Sequence, residues 1–195
     1  MTTARDLADR FHERWLRANP FAATMYGIPG YDHLLPDDSE EGQQAWRAEA
    51  DGFVRAAVES GRGGTDPEPL TQGDVVTLDC VAQAAAQEVA AADLAADEYT
   101  VTAMQYSGPA MLLALAARTV LVDTTAAEAY LTRLRGSGAW LDQIGERLRA
   151  GARRGRLPVA PLTEQALAWA ETVLAAPDRS PVLAPQPPQG WARAA

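Results

Sequence analysis

Residues Tyr99 to Arg135 read YTVTAMQYSGPAMLLALAARTVLVDTTAAEAYLTRLR, and this stretch decides the fold that the sequence predicts. It joins a short alternating segment, a turn at Ser107-Gly108-Pro109 where a short apolar helix is expected to start, and an apolar run from Ala110 to Val122. Thr125 and Glu128 form a Thr-x-x-Glu capping box, which predicts the start of a long helix. The stretch therefore predicts a buried helical centre around which the other helices pack.

Apolar residues at three- and four-residue spacing predict further helices on both sides of this stretch. We expect them from Thr3 to Ala18, from Asp38 to Val58, from Thr71 to Ala95 and from Pro161 to Ala175. Gly136 and Gly138 leave two interpretations open for the long helix: one kinked helix, or two helices broken there. The predicted fold class is all-α, a bundle of about six to eight helices. Residues 1–195 form a single helical region with a proline-rich tail at 177–195.

Composition and charge exclude several functional classes. All 17 cations are arginine, which excludes lysine Schiff-base chemistry and the P-loop. The net charge of −9 disfavours nucleic acid and anionic lipid as partners. The apolar run contains Arg118 and is shorter than the about 20 residues that span a membrane. A charged N-terminus without an apolar core and a single cysteine then predict a cytoplasmic protein.

No complete catalytic or metal site is visible in the sequence. His12, His33 and Cys80 lack HExxH or CxxC spacing, so we assign no metal ligand and no catalytic residue. Ser107 is interpreted as a helix cap and Cys80 as a buried, inert thiol. The five arginines from Arg147 to Arg156 allow an anion-binding surface or, as the favoured interpretation, a solvated helix end.

Four segments, taken in order, resemble the N-terminal part of a bacterial family called domain of unknown function 885. They are FHERWLRANPFAATMYG at 11–27, GYDHLLPDDS at 30–39, MQYSGPAMLL at 104–113 and VDTTAAEAYLTRLRGSGAWLDQIGERLRAGARRGRLPV at 122–159. Met104 departs from the asparagine that the family has before its glutamine, and Gly-Ser-Gly replaces a proline-containing break. Members of this family are longer and are similar to helical zinc metallopeptidases, with a His-Glu zinc motif in their C-terminal half.

The resemblance implies a site but no chemistry in this chain. Because the zinc motif has no counterpart here, zinc is implied for the full-length family only and no cofactor for this chain. The resemblance implies that Tyr31, Asp32, Gln105, Gly108 and Pro109 line a substrate cleft or shape the wall beside it. A purely structural role in joining helices stays open for all five.

The implied function is the N-terminal helical portion of a metallopeptidase-like protein, which forms a wall of a peptide cleft and is inactive alone. Whether the protein is an enzyme stays open. The alternative is a stand-alone helical interaction module. Expected partners are a missing C-terminal half or a second copy, bound through the faces of Trp15 or Trp169. The proline-rich end leads us to expect a truncated or split protein.

Overall fold

Seven α-helices and no strand form in the part of the chain that the computed structural model describes, residues 3–62, 69–104 and 107–188. The all-α prediction of six to eight helices is confirmed. The helices are α1 Ala4–Ala18, α2 Pro20–Met25, α3 Glu40–Gly61, α4 Gln72–Leu94, α5 Gly108–Ala116, α6 Thr124–Arg153 and α7 Ala160–Ala175. Single 3-10 turns lie at Ala96–Glu98, Pro177–Arg179 and Pro181–Leu183. No helix in these described ranges has the length and apolarity to cross a membrane.

Residues 1–18 and 37–96 form one compact unit, in which α1, α3 and α4 pack against one another. Its core contains Leu7 and Phe11 of α1, Phe53 of α3 and Leu78 and Val81 of α4. The rings of Phe11 and Phe53 meet edge to face with centroids 5.3 Å apart. The apolar stripe predicted for the first helix is thus confirmed at Leu7 and Phe11.

Glu88 of α4 joins the two other helices of this unit through tryptophan. Its carboxylate oxygens accept the indole N–H groups of Trp15, at 2.8 Å, and Trp46, at 2.9 Å. Both tryptophans also pack against the apolar core. Trp15 therefore has a structural role within its own unit.

Residues 19–36 and 97–195 form the second compact unit. Its apolar core contains Phe21 of α2, Leu112 and Leu115 of α5 and Trp140 of α6, with the Phe21 and Trp140 rings edge to face at 5.4 Å. Gly108 lies where α5 approaches α6, because a Cβ added there would lie 2.6 Å from the Trp140 side chain. Glycine at 108 therefore permits the contact between these two helices. The expectation of one helical region over 1–195 stays a prediction.

Two helices begin with a different cap from the one predicted. Ser39 caps α3, one residue after the start predicted at Asp38, and its hydroxyl accepts a first-turn N–H at 3.0 Å. Asp123, not Thr125, caps α6, and its carboxylate accepts a first-turn N–H at 2.8 Å. Neighbouring oxygen-bearing residues have similar cap preferences, so sequence cannot decide between them. A capping box of Thr71 and Asp74 begins α4, where the sequence predicts a helix start.

The glycines at 136 and 138 do not interrupt α6, which is one helix of 30 residues. The interpretation of two helices broken there is wrong. The buried side of α6 is not a row of leucines, since Leu131 and Leu141 are 36% and 44% exposed. The large side chains buried on α6 are Tyr130, Arg133, Trp140 and Arg147.

Two smaller expectations are also wrong. Helix α5 ends at Ala116, and Val120 and Val122 beyond it are exposed. Cys80 is exposed, because the residues of α4 that face the core lie on another side of the helix.

Candidate functional site

A pocket of about 380 Å³ opens in the second unit and collects polar side chains from three segments. Its polar lining consists of Thr24, Asp32, Arg118, Thr119, Tyr130 and Arg133. Leu115 and Val120 contribute apolar surface to the same lining. A concave surface with both charge signs beside apolar carbon is typical of a ligand site.

Arg133 holds the loop that carries Asp32 through hydrogen bonds to its backbone. Its Nε donates to the backbone oxygen of Leu34 at 2.8 Å, and its Nη2 donates to the backbone oxygen of Tyr31 at 2.8 Å. The guanidinium carbon lies 5.5 Å from the centre of the Phe21 ring. Burial lowers the pKa of Arg133, and the nearby Asp32 carboxylate opposes that shift. Because arginine ionises at such high pH, the group stays cationic.

A hydrogen-bond chain connects Arg133 to Asp32 through Thr24. The Thr24 hydroxyl accepts from Nη2 of Arg133 at 2.9 Å and donates to Oδ1 of Asp32 at 2.7 Å. The carboxylate of Asp32 is therefore oriented before any ligand arrives. This chain uses one of about four lone pairs that a carboxylate offers.

Tyr130 closes another side of the pocket. Its hydroxyl donates to the backbone oxygen of Val182 at 2.8 Å, which ties α6 to the 3-10 turn at Pro181–Leu183. Burial raises the pKa of Tyr130 above the ordinary value for a phenol. The phenol thus stays neutral near pH 7 and acts as a hydrogen-bonding wall.

The predicted site residues do not all lie together. Asp32 lines the pocket, and Tyr31 lies next to it with its carbonyl bound by Arg133. Gly108 and Pro109 form the first turn of α5 and are not part of the pocket lining. Gln105 lies outside the described residues. Ser107 occupies the cap position of α5, but its hydroxyl donates to the carbonyl of Met104.

A second charged cluster surrounds Glu98, which is only 3% exposed. Nη1 of Arg147 lies 3.3 Å from Oε1, and Nη1 of Arg156 donates to Oε2 at 3.1 Å. Arg154 also donates to Oε1. The favoured interpretation of the five arginines as a solvated helix end is wrong for these three, because they converge on one buried carboxylate.

The backbone at the end of α6 makes this cluster possible. Gly155 has a φ of +75°, and the N–H of Arg156 bonds the carbonyl of Gly151 at 2.9 Å, as in a Schellman motif. This turn carries Arg156 back towards Glu98. A Cβ at Gly151 would lie 2.0 Å from the backbone oxygen of Glu98, so only glycine allows the observed approach.

Gly151→Ala is therefore expected to lower the free energy of unfolding by about 1–3 kcal/mol or more, as overpacking does. Gly138→Ala is the matched control on the same helix, since a Cβ there meets no atom within 4 Å. The control should raise the free energy of unfolding by up to about 1 kcal/mol, because alanine favours the helix. Urea unfolding of both variants measures the difference. Equal stabilities would contradict the close contact at Gly151.

The described residues do not fit a zinc ion. Over 3–62, 69–104 and 107–188, no three His, Cys, Asp or Glu side chains are grouped so that they could hold a metal. Zinc enzymes need at least three such ligands.

The fold is all-helical, and its second unit contains a polar pocket. The family model of bacterial proteins of unknown function, DUF885, matches residues 20–194. The chain belongs to the DUF885 family, which confirms the resemblance found in the sequence. No curated protein matches the chain, and no solved structure matches it. The family description assigns no activity.

Proposed function

We propose that this chain forms one wall of a peptide-binding cleft in a metallopeptidase-like protein, with the Asp32 pocket as the peptide contact. The observation that carries this proposal is the pocket itself, which combines an oriented carboxylate with a guanidinium, hydroxyls and apolar carbon. A peptide offers the matching groups, an ammonium or amide N–H, a carboxylate or carbonyl oxygen, and side-chain carbon. The bond-breaking chemistry belongs to other residues.

Each side of the pocket has a role in this proposal. Asp32 accepts from the ammonium group or an N–H of the peptide, since an ionised carboxylate is an acceptor only. Arg118 is exposed and donates to a peptide oxygen, for which its planar fork is suited. Because Arg133 and Thr24 already hold Asp32, little ordering is required on binding.

Calorimetry with trialanine tests the proposal. Asp32→Asn is expected to weaken binding about tenfold, because the charge-assisted contact to the ammonium is lost. N-acetyl-trialanine lacks the ammonium group, so it should bind the wild type about as weakly as trialanine binds Asp32→Asn. The Asp32→Asn substitution should not weaken the binding of N-acetyl-trialanine any further. Asp142→Asn, an exposed change on α6 outside the pocket lining, should leave the affinity unchanged.

Two outcomes would count against the peptide site. One is the absence of saturable trialanine binding to the wild-type chain. The other is equal affinity of wild type and Asp32→Asn for unmodified trialanine. C-amidated trialanine, which lacks the C-terminal carboxylate, tests the contact of Arg118 by the same comparison. Its affinity for the wild type is compared with the affinity of unmodified trialanine for Arg118→Gln.

A stand-alone interaction module is the second candidate, favoured by exposed leucines on α7. The exposed fractions of Leu162, Leu167 and Leu174 are 40%, 60% and 77%. Trp169 and Val173 of the same helix line an open groove. In this function, a second copy of the chain binds the exposed face of α7. The charge introduced by Leu167→Glu should therefore convert the dimer to a monomer, as measured by sedimentation equilibrium. A monomeric wild type at high concentration would contradict it.

A further inference from the structure

The cluster around Glu98 has more positive charge than its carboxylate neutralises. Arg147 and Arg156 alone bring two positive charges to the single negative charge of Glu98. Glu98 is 3% and the Arg147 side chain 8% exposed, so the imbalance lies partly out of water. Unbalanced charge in such a place is unfavourable. We propose that this cluster binds an oxyanion, a phosphate or carboxylate group.

The supply of hydrogen-bond donors supports the same assignment. A guanidinium has five N–H groups, whereas one carboxylate offers about four lone pairs. Nε of Arg147 is buried and has no hydrogen-bond partner among the described residues. The cluster is therefore short of acceptors, and an oxyanion brings acceptors together with negative charge.

Arg156 gives a ligand access to the cluster from solvent. Its side chain is 44% exposed while its Nη1 stays on Oε2 of Glu98. The planar guanidinium matches the oxygens of phosphate and carboxylate in pairs. The turn at Gly155 holds Arg156 in place without a ligand, so the site is preformed.

Arg149, on the same helix, forms an ordinary solvent-exposed ion pair. It pairs with Glu146 at 2.9 Å, and both side chains are about two-thirds exposed, at 66% and 68%. This pair is balanced and solvated. Arg149→Gln is therefore a matched control for Arg156→Gln, because both variants remove one arginine charge near the end of α6.

The test titrates inorganic phosphate into the whole chain at constant ionic strength, with chloride as the balancing anion, and follows backbone amide shifts by NMR. Wild type and Arg149→Gln should bind saturably with equal affinity, with shifts at 154–156. Arg156→Gln should bind at least about fivefold more weakly. A parallel titration with acetate distinguishes a carboxylate ligand from a phosphate ligand. Tighter binding of acetate identifies a carboxylate ligand, and tighter binding of phosphate identifies a phosphate ligand.

The proposal is overturned if neither anion binds the wild type saturably, or if Arg156→Gln binds as tightly as the wild type. Should Arg156→Gln not fold, the wild-type titration decides alone. Shifts confined to residues away from Glu98 and 154–156 would then overturn it. Because this site shares no residue with the Asp32 pocket, its failure leaves the peptide proposal untouched, and the reverse also holds.

Discussion

Replacing Arg133 with alanine is expected to lower the free energy of unfolding by about 3–5 kcal/mol. The side chain is 4% exposed, and its loss leaves the carbonyls of Leu34 and Tyr31 and the hydroxyl of Thr24 without this donor. Each buried polar group left unsatisfied costs about 1–3 kcal/mol, less where water enters. Urea unfolding measures the loss, and trialanine binding should disappear with it.

Arg135→Ala is the matched control, two residues away on the exposed side of α6. It should change the free energy of unfolding by less than about 0.5 kcal/mol. Arg133→Lys should recover less than half of the loss, because one ammonium group cannot reproduce the arginine fork. If Arg133→Ala and Arg135→Ala were equally stable, Arg133 would not hold the loop.

Glu98→Ala is expected to lower the free energy of unfolding by about 3–5 kcal/mol as well. The change leaves Arg147 buried with Arg156 beside it and removes the carboxylate that both contact. Uncompensated buried charge is among the largest causes of destabilisation by one substitution. Glu164→Ala, an exposed change on α7, should be nearly neutral. Thermal and urea unfolding of the pair measure the contrast, and similar values would contradict the buried cluster.

Helices whose buried face consists only of apolar residues were predictable from the sequence. Leu7 and Phe11 recur at helical spacing on α1, and the core of the first unit uses them. Helix caps were less certain, since Ser39 and Asp123 have neighbours of similar chemistry. Local patterns therefore give the helices well and their first residues less well.

The buried side of α6 could not be predicted in the same way, because two of its members are charged. Arg133 and Arg147 lie seven residues on either side of Trp140, a spacing that places all three along one face. Their burial depends on distant acceptors, Leu34 lying 99 residues from Arg133 in the sequence. A pattern of apolar residues cannot show where such acceptors will lie.

The candidate site was predictable only in part. The resemblance pointed to Asp32, which lines the pocket, and to Gly108, whose visible role is to admit Trp140. It gave no indication of Arg133 or Thr24, which orient Asp32. Glycine 108 illustrates that a family motif can mark a packing requirement as readily as a binding contact.

An amide NMR titration of the wild-type chain with trialanine shows most directly whether peptides bind at the Asp32 pocket. We expect saturable shifts at Asp32, Thr24 and Arg118, and N-acetyl-trialanine should need about tenfold higher concentration to reach the same shifts. Saturable shifts that lie only in residues 3–18 and 37–62, or no saturable shifts at all, would contradict it.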